Sequence, residues 1–458
     1  MKSPKATATE FGTGHTLTRR AMLGGMVAAG TTMSFALAGC SGDSGLPGGN
    51  SGGVPTQFNF STWGDFRFYQ DGFSRMQNAV PKYKPTKFNN QQATDSTTLA
   101  AKLQSGFVAK AYSTLPAVFE VNWSDIPHLS EAGILTDLTA KVAPYKDQVS
   151  KASIDSVSYQ GKIMACPWRP NTILMWYRED IWNEAGIDAA NIKLWSDFVA
   201  AGQKLQSHSF ADGKKRYIIG LEPSAAFNAF LYTQQGGVLF DSKSGQLTNF
   251  GSDPHFRNAF DLQVQWAKTG IGLQIASYTP SWFTALDDGI LSCVVTGSWM
   301  DQMLQQNVTK SAGKWKVAAL PAFAPGDTGQ ALEGAAAVCA TKLPDADQDL
   351  NWTFMQKSFF DEQITPSLYD QWHLNPVFAP AAKQTKYHQP QDYYGGQNVG
   401  ALDDDVQKTA FTPVGSPDYA LLMNTLGSEL GTASSGKKSV DDAIASAYAA
   451  ARSKGVGA

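Results

Sequence analysis

Tryptophans that stand beside carboxylates or amides recur along this sequence, and that combination suits the binding of a sugar. One face of a sugar ring carries C–H groups that stack on an aromatic ring, whereas its hydroxyls pair best with charged or amide groups. Core packing is the alternative for any single tryptophan. The segments are Trp63-Gly64-Asp65, Asn122-Trp123-Ser124-Asp125, Trp168-Arg169-Pro170-Asn171 and Gly297-Ser298-Trp299-Met300-Asp301, with Glu222-Pro223 after a further apolar run.

Motifs for metal, nucleotide or nucleophilic chemistry are missing from the sequence. The 6 histidines are scattered without HxxxH or CxxC spacing, so we expect no metal. No phosphate-binding glycine loop or GxSxG elbow is present, and we expect no cofactor. A formal net charge of -3 gives no electrostatic case for nucleic acid. The acidic clusters Asp287-Asp288 and Asp403-Asp404-Asp405 are interpreted as solvent-facing turns, while a glycosidase pair drawn from separate strand ends stays open.

The first 39 residues have the organisation of a signal peptide. A polar segment ends in Thr18-Arg19-Arg20, and an apolar stretch from Ala21 to Ala38 stops at small residues. The stretch is too short and too rich in glycine for a membrane-spanning helix. The sequence predicts removal of residues 1–39 on export, and a flexible Gly/Ser-rich tether over residues 40–56.

Two export motifs are recognised here by resemblance. Leu37-Ala38-Gly39-Cys40 resembles the bacterial lipobox, which implies that Cys40 is acylated, with palmitate among its lipids, and becomes the mature N-terminus. Thr18-Arg19-Arg20-Ala21-Met22-Leu23 resembles a twin-arginine signal, with the general export route as the alternative. The resemblance places the protein on the outer face of a bacterial cell membrane, held only by its lipid.

Three cysteines remain after Cys40: Cys166, Cys293 and Cys339. Their odd number argues against a disulfide framework, although pairing of two of them stays open. Because Cys293 and Cys339 lie in apolar runs, we expect them to be small buried side chains.

The body of the chain alternates short apolar runs with helical patterns, which predicts an α/β fold with largely parallel sheets. A length of 458 residues favours two globular lobes. Asp253-Pro254 marks a helix start that Gly270 ends, and Ser439 with Asp442 marks a second start. Strands are predicted over residues 57–60, 117–121, 173–177, 217–220, 293–296, 315–320 and 335–340.

From about residue 57 onward the chain resembles the carbohydrate-binding class of ABC-transporter solute-binding proteins, the class that includes maltose-binding protein. The most distinctive match is Tyr177-Arg178-Glu179-Asp180 followed by Asn183-Glu184-Ala185-Gly186-Ile187. Further matches are Phe58 to Trp63, Leu115 to Phe119, Leu129 to Leu138, Tyr159 to Lys162 with Pro167, and Gly297-Ser298-Trp299.

The resemblance implies a two-lobed periplasmic-binding-protein-like fold whose ligand cleft lies between lobes joined by hinge crossings. The first lobe is expected over 57–168 and about 335–375, and the second over about 172–332 and 376–458. Crossings are expected near Trp168–Thr172 and Leu332–Ala336, with a third after His373. The implied ligand residues are Trp63, Asp65, Trp123, Asp125, Asn171, Glu222 and Trp299, and weaker candidates are Arg169, Trp282, Trp372, Tyr393 and Tyr394.

Two departures from the family pattern stand out. Leu194 replaces the usual threonine before Trp195, so we expect Ser196 to cap the helix there. Asn171 stands where the maltose-binding relatives have an acidic ligand residue, which argues against maltose itself but not against a sugar.

Three functions are compatible with these patterns. The favoured one is a monomeric, non-enzymatic lipoprotein that captures a mono- or oligosaccharide and delivers it by hinge closure to the membrane permease of an ABC importer. A secreted glycoside hydrolase would use the same aromatic residues but needs a positioned acid and base. A binding protein for a peptide, polyamine or metal is the third.

Overall fold

The computed structural model describes residues 54–221, 224–344 and 347–457. The predicted signal peptide, the predicted lipid site at Cys40, most of the tether and the ligand candidate Glu222 lie outside the described residues. Over the described ranges, no helix has both the length and the apolar character that a bilayer crossing requires.

Short strands alternate with helices along the described chain. The strands are β1 Gln57–Ser61, β2 Lys87–Asn90, β3 Val118–Val121, β4 Ser158–Tyr159, β5 Lys162–Ile163, β6 Cys166–Arg169, β7 Ile173–Arg178, β8 Ile219–Gly220, β9 Gly272–Leu273, β10 Cys293–Gly297, β11 Trp315–Ala318, β12 Gln330–Ala331, β13 Ala336–Ala340 and β14 Ala410–Phe411. The helices are α1 Arg67–Ala79, α2 Ser96–Val108, α3 Ile126–Glu131, α4 Thr139–Val142, α5 Lys151–Ser156, α6 Glu179–Glu184, α7 Trp195–Ser207, α8 Ala225–Gln234, α9 Pro254–Thr269, α10 Pro280–Asp287, α11 Met300–Asn307, α12 Gln348–Phe359, α13 Ile364–Trp372, α14 Ala379–Ala382, α15 Val399–Gln407, α16 Tyr419–Ser434 and α17 Val440–Ser453.

The first sheet has the strand order β2-β1-β3-β13-β6. Strands β2, β1 and β3 are parallel, whereas β13 runs antiparallel to both of its neighbours. The carboxyl ends of β1, β3 and β6 therefore lie at the same edge of the sheet as the beginning of β13. Buried aromatic side chains such as Phe58 and Phe60 on β1 anchor this sheet in its own core, against α1 and α12.

The second sheet has the order β10-β7-β11, and both outer strands are antiparallel to β7. The prediction of largely parallel sheets is therefore wrong for this sheet, although all seven predicted strands form. The reason lies in the connections, because β7 follows directly from β6 of the other sheet rather than through a helical crossover within its own sheet. Trp176 and Trp315 are fully buried in the core beneath it.

Two segments near the expected crossings connect the first sheet to strands of other sheets, β7 of the second sheet and β12 of a two-stranded sheet with β14. Residues 170–172 join β6 to β7, and residues 332–335 join β12 to β13. The two segments pair with each other, through a bridge between Thr172 and Leu332 and a hydrogen bond from the Glu333 N–H to the Asn171 carbonyl at 3.0 Å. Predicted site residues lie at strand ends in both sheets. These strand ends thus converge on the paired crossings.

Helix ends follow the sequence signals, with one correction. Asp253 and Ser439 cap α9 and α17 as predicted, and Gly270 ends α9 with a left-handed backbone, φ 69°. Ser196 does not cap α7. Instead Asp197 accepts hydrogen bonds from the backbone N–H groups of Lys193 and Leu194, at 3.1 and 2.8 Å. Its carboxylate thus accepts from the N–H groups of the cap residue and of the residue before it, whereas a threonine cap would accept from the N–H of the second or third helical residue.

Cys166, Cys293 and Cys339 are free and buried. The burial of Cys293 and Cys339 agrees with the expectation that they are small buried side chains.

Candidate functional site

A cavity of about 890 Å³ lies beside the end of β10 and between α8, α10 and α16. Its volume is in the range of ordinary small-molecule sites. The polar side chains that line it carry amides and hydroxyls, and Glu333 is the one carboxylate among its described lining residues, which include no lysine, arginine or histidine. The residues are Ile219, Gly220, Leu221, Ser224, Ala225, Ala226, Phe227, Phe230, Gln263, Trp266, Ala267, Gln274, Ser277, Tyr278, Trp282, Leu291, Cys293, Val294, Val295, Thr296, Trp299, Glu333, Met423, Asn424, Gly427, Ser428, Gly431, Ser434 and Ser435.

Three aromatic rings form one wall of this cavity. Tyr278 lies with its ring centroid 5.1 Å from Trp282 and 5.4 Å from Trp299. Tyr278 is 50% exposed and has a left-handed backbone, φ 62°, which is strained for a bulky residue. Strain of this kind is retained where the surroundings fix it, commonly at ligand sites. Trp282 is only 3% exposed and lies at the back of this wall, so Tyr278 and the partly exposed Trp299 provide its accessible aromatic surface.

Local structure explains how this wall is placed. Trp299 follows β10, whose last residue, Gly297, lies beneath the indole. A Cβ built at Gly297 would come within 2.5 Å of Trp299 Nε1 and 2.7 Å of Glu333 Oε2. Trp282 lies in the first turn of α10, which Thr279 caps through its hydroxyl. Glycine at position 297 therefore leaves the space that the indole and the carboxylate share.

Glu333 comes from the second crossing and reaches the same wall. Its Oε2 accepts a hydrogen bond from Trp299 Nε1 at 2.8 Å. Burial raises the pKa of Glu333, and the Trp299 hydrogen bond and the charge of Arg169 oppose that rise. Neither Glu333 nor Tyr278 was among the predicted site residues.

The candidates at the end of β1 form a separate patch. Trp63 packs partly buried against the core of the first sheet. Asp65 forms an ion pair with Arg67, whose hydrogen bond lowers the pKa of that carboxyl. Arg67 in turn lies over the ring of Trp372, 5.3 Å from its centroid. Arg67 thus links Asp65 to Trp372, and neither of these two residues lines the cavity.

Trp123 and Asp125, after β3, have more enclosed surroundings. Trp123 is only 6% exposed, and its ring meets that of Tyr419 on α16 edge to face, 5.0 Å between centroids. Asp125 accepts a hydrogen bond from Ser96, and burial raises the pKa of its carboxyl. Neither residue lines the cavity.

The first crossing carries polar groups that lack partners. Asn171 is 6% exposed with a left-handed backbone, φ 53°, and its Oδ1 has no hydrogen-bond donor among the described residues. Arg169 stacks its guanidinium over the Trp168 ring at 4.7 Å, and its buried Nε likewise finds no acceptor in the described chain. Buried polar groups are usually hydrogen-bonded, so these two atoms call for partners that the described residues do not supply.

The late tyrosine candidates serve the packing of the second sheet. Tyr394 is fully buried and donates to Asp301 Oδ1 at 2.7 Å. Tyr393 donates to the Val308 carbonyl at 2.6 Å. Asp403, expected in a solvent-facing turn, is instead buried on α15 and accepts from the Tyr387 hydroxyl at 2.9 Å. These side chains stand outside the cavity lining.

Within the described residues, no group of three or more histidines, cysteines, aspartates or glutamates is arranged to hold a metal ion. The candidate site therefore consists of aromatic faces, hydroxyls, amides and the Glu333 carboxylate.

Comparison with known proteins identifies a family whose model the chain matches. Residues 80–393 match the family model described as "Bacterial extracellular solute-binding protein". An arabinooligosaccharide-binding protein of Bacillus subtilis is 26% identical over 221 residues, which are 47% of this chain and 47% of that protein, so the match spans about half of its length. An arabinooligosaccharide-binding protein of Halalkalibacterium halodurans is 23% identical over 319 residues, or 68% of each chain.

A solved structure extends the likeness to nearly the whole fold. The ABC transporter associated binding protein from B. animalis subsp. lactis, in complex with β-1,6-galactobiose, superposes with a TM-score of 0.72 at 21% identity. The superposition covers 86% of this chain and 96% of that protein. This likeness confirms the predicted α/β, two-lobed fold, while the lobe boundaries given above stay a prediction.

Proposed function

This chain belongs to the bacterial extracellular solute-binding protein family, and we propose that it is an exported receptor that captures an oligosaccharide and delivers it to an ABC importer. The wall formed by Tyr278, Trp282 and Trp299 is the observation that carries the proposal. Aromatic rings stack on the C–H faces of sugars, and the amides and hydroxyls of the cavity suit a ligand rich in hydroxyl groups. The names of two relatives and of the structural neighbour, which bind oligosaccharides, support the same ligand class.

Capture proceeds in this proposal by closure about the paired crossings. The patch of Asp65 and Trp372 on the first lobe closes toward the aromatic wall of the second, and ligand contacts made only in the closed form shift the equilibrium toward it. The closed form then docks on the membrane permease. Lipid attached at Cys40 holds a monomeric receptor at the membrane surface.

The same proposal makes the protein a binder and not a hydrolase. Two relatives are named as binding proteins. Among its described lining residues the cavity has one carboxylate, Glu333, whereas glycoside hydrolysis uses a pair of carboxyl groups.

A ligand screen tests this function. The melting temperature of the purified mature protein is measured with arabino-oligosaccharides, β-1,6-galactobiose and maltotriose, and with a peptide and a polyamine for comparison. Samples incubated with each sugar are analysed for cleavage products. At least one oligosaccharide should raise the melting temperature without being cleaved, since a ligand at 100 times its Kd stabilises the folded state by about 2.7 kcal/mol. Stabilisation by a peptide or polyamine alone would reject the sugar, and cleavage above that of a heat-treated control would reject a pure receptor.

A further inference from the structure

Only one of the two carboxylate oxygens of Glu333 has a hydrogen-bond donor among the described residues. Trp299 Nε1 donates to Oε2, and no described residue donates to Oε1. The side chain is partly exposed and lines the cavity, so Oε1 is open to a ligand. A charged acceptor without a donor in a partly enclosed place is unfavourable, and a ligand hydroxyl would relieve that cost.

The Glu333 carboxylate lies next to the edge of any sugar ring that stacks on the Trp299 indole. The carboxylate lies at the N–H edge of the Trp299 indole because it accepts that hydrogen bond. A sugar ring that stacks on the indole face directs its rim hydroxyls past the indole edge. One such hydroxyl therefore comes within reach of Glu333.

Charge at the crossing supports an acceptor role. Arg169 acts on Glu333 as a positive charge, with no ion pair or hydrogen bond between the two side chains within the described chain. The arginine thus favours the ionised carboxylate without occupying its free oxygen. Hydrogen bonds to an ionised acceptor are about twice as strong as neutral ones.

We propose that Glu333 is a specificity-determining residue, whose Oε2 fixes the Trp299 indole while its Oε1 accepts a hydroxyl of the sugar ring stacked there. The proposal rests on the sugar-binding function proposed above. The proposal narrows the expected ligands to neutral sugars that have a free hydroxyl on the rim of the stacked ring. Ligands that lack that hydroxyl are discriminated against, because they leave the carboxylate unpaired.

Titration calorimetry with the tightest-binding oligosaccharide of the panel tests the contact. Glu333→Gln should weaken binding by about ten- to a hundredfold, the usual effect of losing a hydrogen bond to a charged group. Glu184→Gln, the same change at an exposed position on α6, is the matched control and should bind as the wild type does. A Glu333→Gln affinity within about twofold of wild type would overturn the proposal.

A double-variant cycle separates a ligand contact from a positioning role. Trp299→Phe keeps a ring but removes the indole N–H that bonds Glu333. If the carboxylate touches the ligand, Glu333→Gln still weakens binding about tenfold in the Trp299→Phe background. If Glu333 acts only through the indole, the second change has no further effect and the proposal is wrong.

Folding of the variants is followed by the melting temperature without ligand. Should Glu333→Gln melt far below wild type, Glu333→Asp retains the charge but withdraws it by one methylene, and it should also lose about tenfold in affinity. Wild-type affinity in Glu333→Asp would overturn the contact. If the wild type binds no sugar of the panel, the proposed function and this inference fall together; if Trp299→Ala weakens binding and Glu333→Gln does not, the inference falls alone.

Discussion

Trp123 and Trp299 occupy equivalent places in the sequence but different places in the molecule. Each follows a buried strand, β3 or β10, and each lies over a glycine. Trp123 is 6% exposed, with its ring against Gly334 and Tyr419. Trp299 is partly exposed on the wall of a cavity, with its N–H held by Glu333.

The difference shows that a strand end alone does not decide whether an aromatic residue faces a ligand. The loop after β3 is covered by the second crossing and by α16, so its tryptophan is enclosed. Nothing described covers the loop after β10 in the same way, because the cavity opens there. The two tryptophans should therefore respond oppositely to the same substitution, one in stability and the other in affinity.

The largest effect is expected from Trp123→Ala. Removing an enclosed indole should lower the free energy of unfolding by about 3–5 kcal/mol, since the site is filled from several elements and cannot collapse fully. Urea unfolding measured by circular dichroism gives this value. A loss below about 1 kcal/mol would mean that Trp123 is accessible and remains a candidate for direct ligand contact.

The two glycines sharpen the contrast. Gly334 has φ 99°, and a Cβ there would overlap the Trp123 ring, so Gly334→Ala should lower the free energy of unfolding by about 2–4 kcal/mol. The three atoms nearest to a Cβ at Gly297 belong to the Trp299 indole and the Glu333 carboxylate, and both side chains are partly exposed and can shift. Gly297→Ala should therefore keep the melting temperature within a few degrees and weaken sugar binding by about tenfold. Equal stability losses in both variants would contradict the contrast.

The smallest effect is a pH dependence of affinity. Burial raises the pKa of Glu333 above its ordinary value of 4.5, and the carboxylate must be ionised to accept a hydroxyl strongly. The sugar affinity of the wild type should therefore fall several-fold as the pH drops through that raised pKa. The affinity of Glu333→Gln should not change over the same range. The groups that face Glu333 are Arg169, Trp299 and Tyr419, none of which titrates in this acidic range. Parallel curves for the two proteins would contradict an ionised Glu333 at the ligand.

Much of the fold could be predicted from the sequence, because apolar runs and helix signals are local. All seven predicted strands form, and Asp253, Gly270 and Ser439 mark helix ends as expected. Whether strands pair in parallel or antiparallel could not be predicted from local patterns. Strand β7 enters its sheet from β6 of the other sheet, and no pattern within either strand indicates that connection.

The site was predicted in part, and for a physical reason. Trp299 and Trp282 line the cavity. Trp299 was predicted from its place after an apolar strand, whereas Trp282 was only a weaker candidate from the resemblance. Glu333 was missed because it precedes β13, and only the antiparallel course of β13 brings its beginning to the edge where β1 and β3 end. Tyr278 was missed because its loop follows a two-residue strand, and its positive φ appears only in the folded chain.

Titration calorimetry of Trp299→Ala with the best oligosaccharide tests the central claim most directly. Trp352→Ala, which removes another partly buried tryptophan on α12 outside the cavity, is the matched control. The account predicts that Trp299→Ala binds about tenfold more weakly or worse, for a stacking contact worth on the order of 1 kcal/mol beyond its buried area, with an unchanged melting temperature of the unliganded protein. Trp352→Ala should keep wild-type affinity. Undiminished affinity in Trp299→Ala, together with a collapsed melting temperature, would contradict the claim and make Trp299 a core residue.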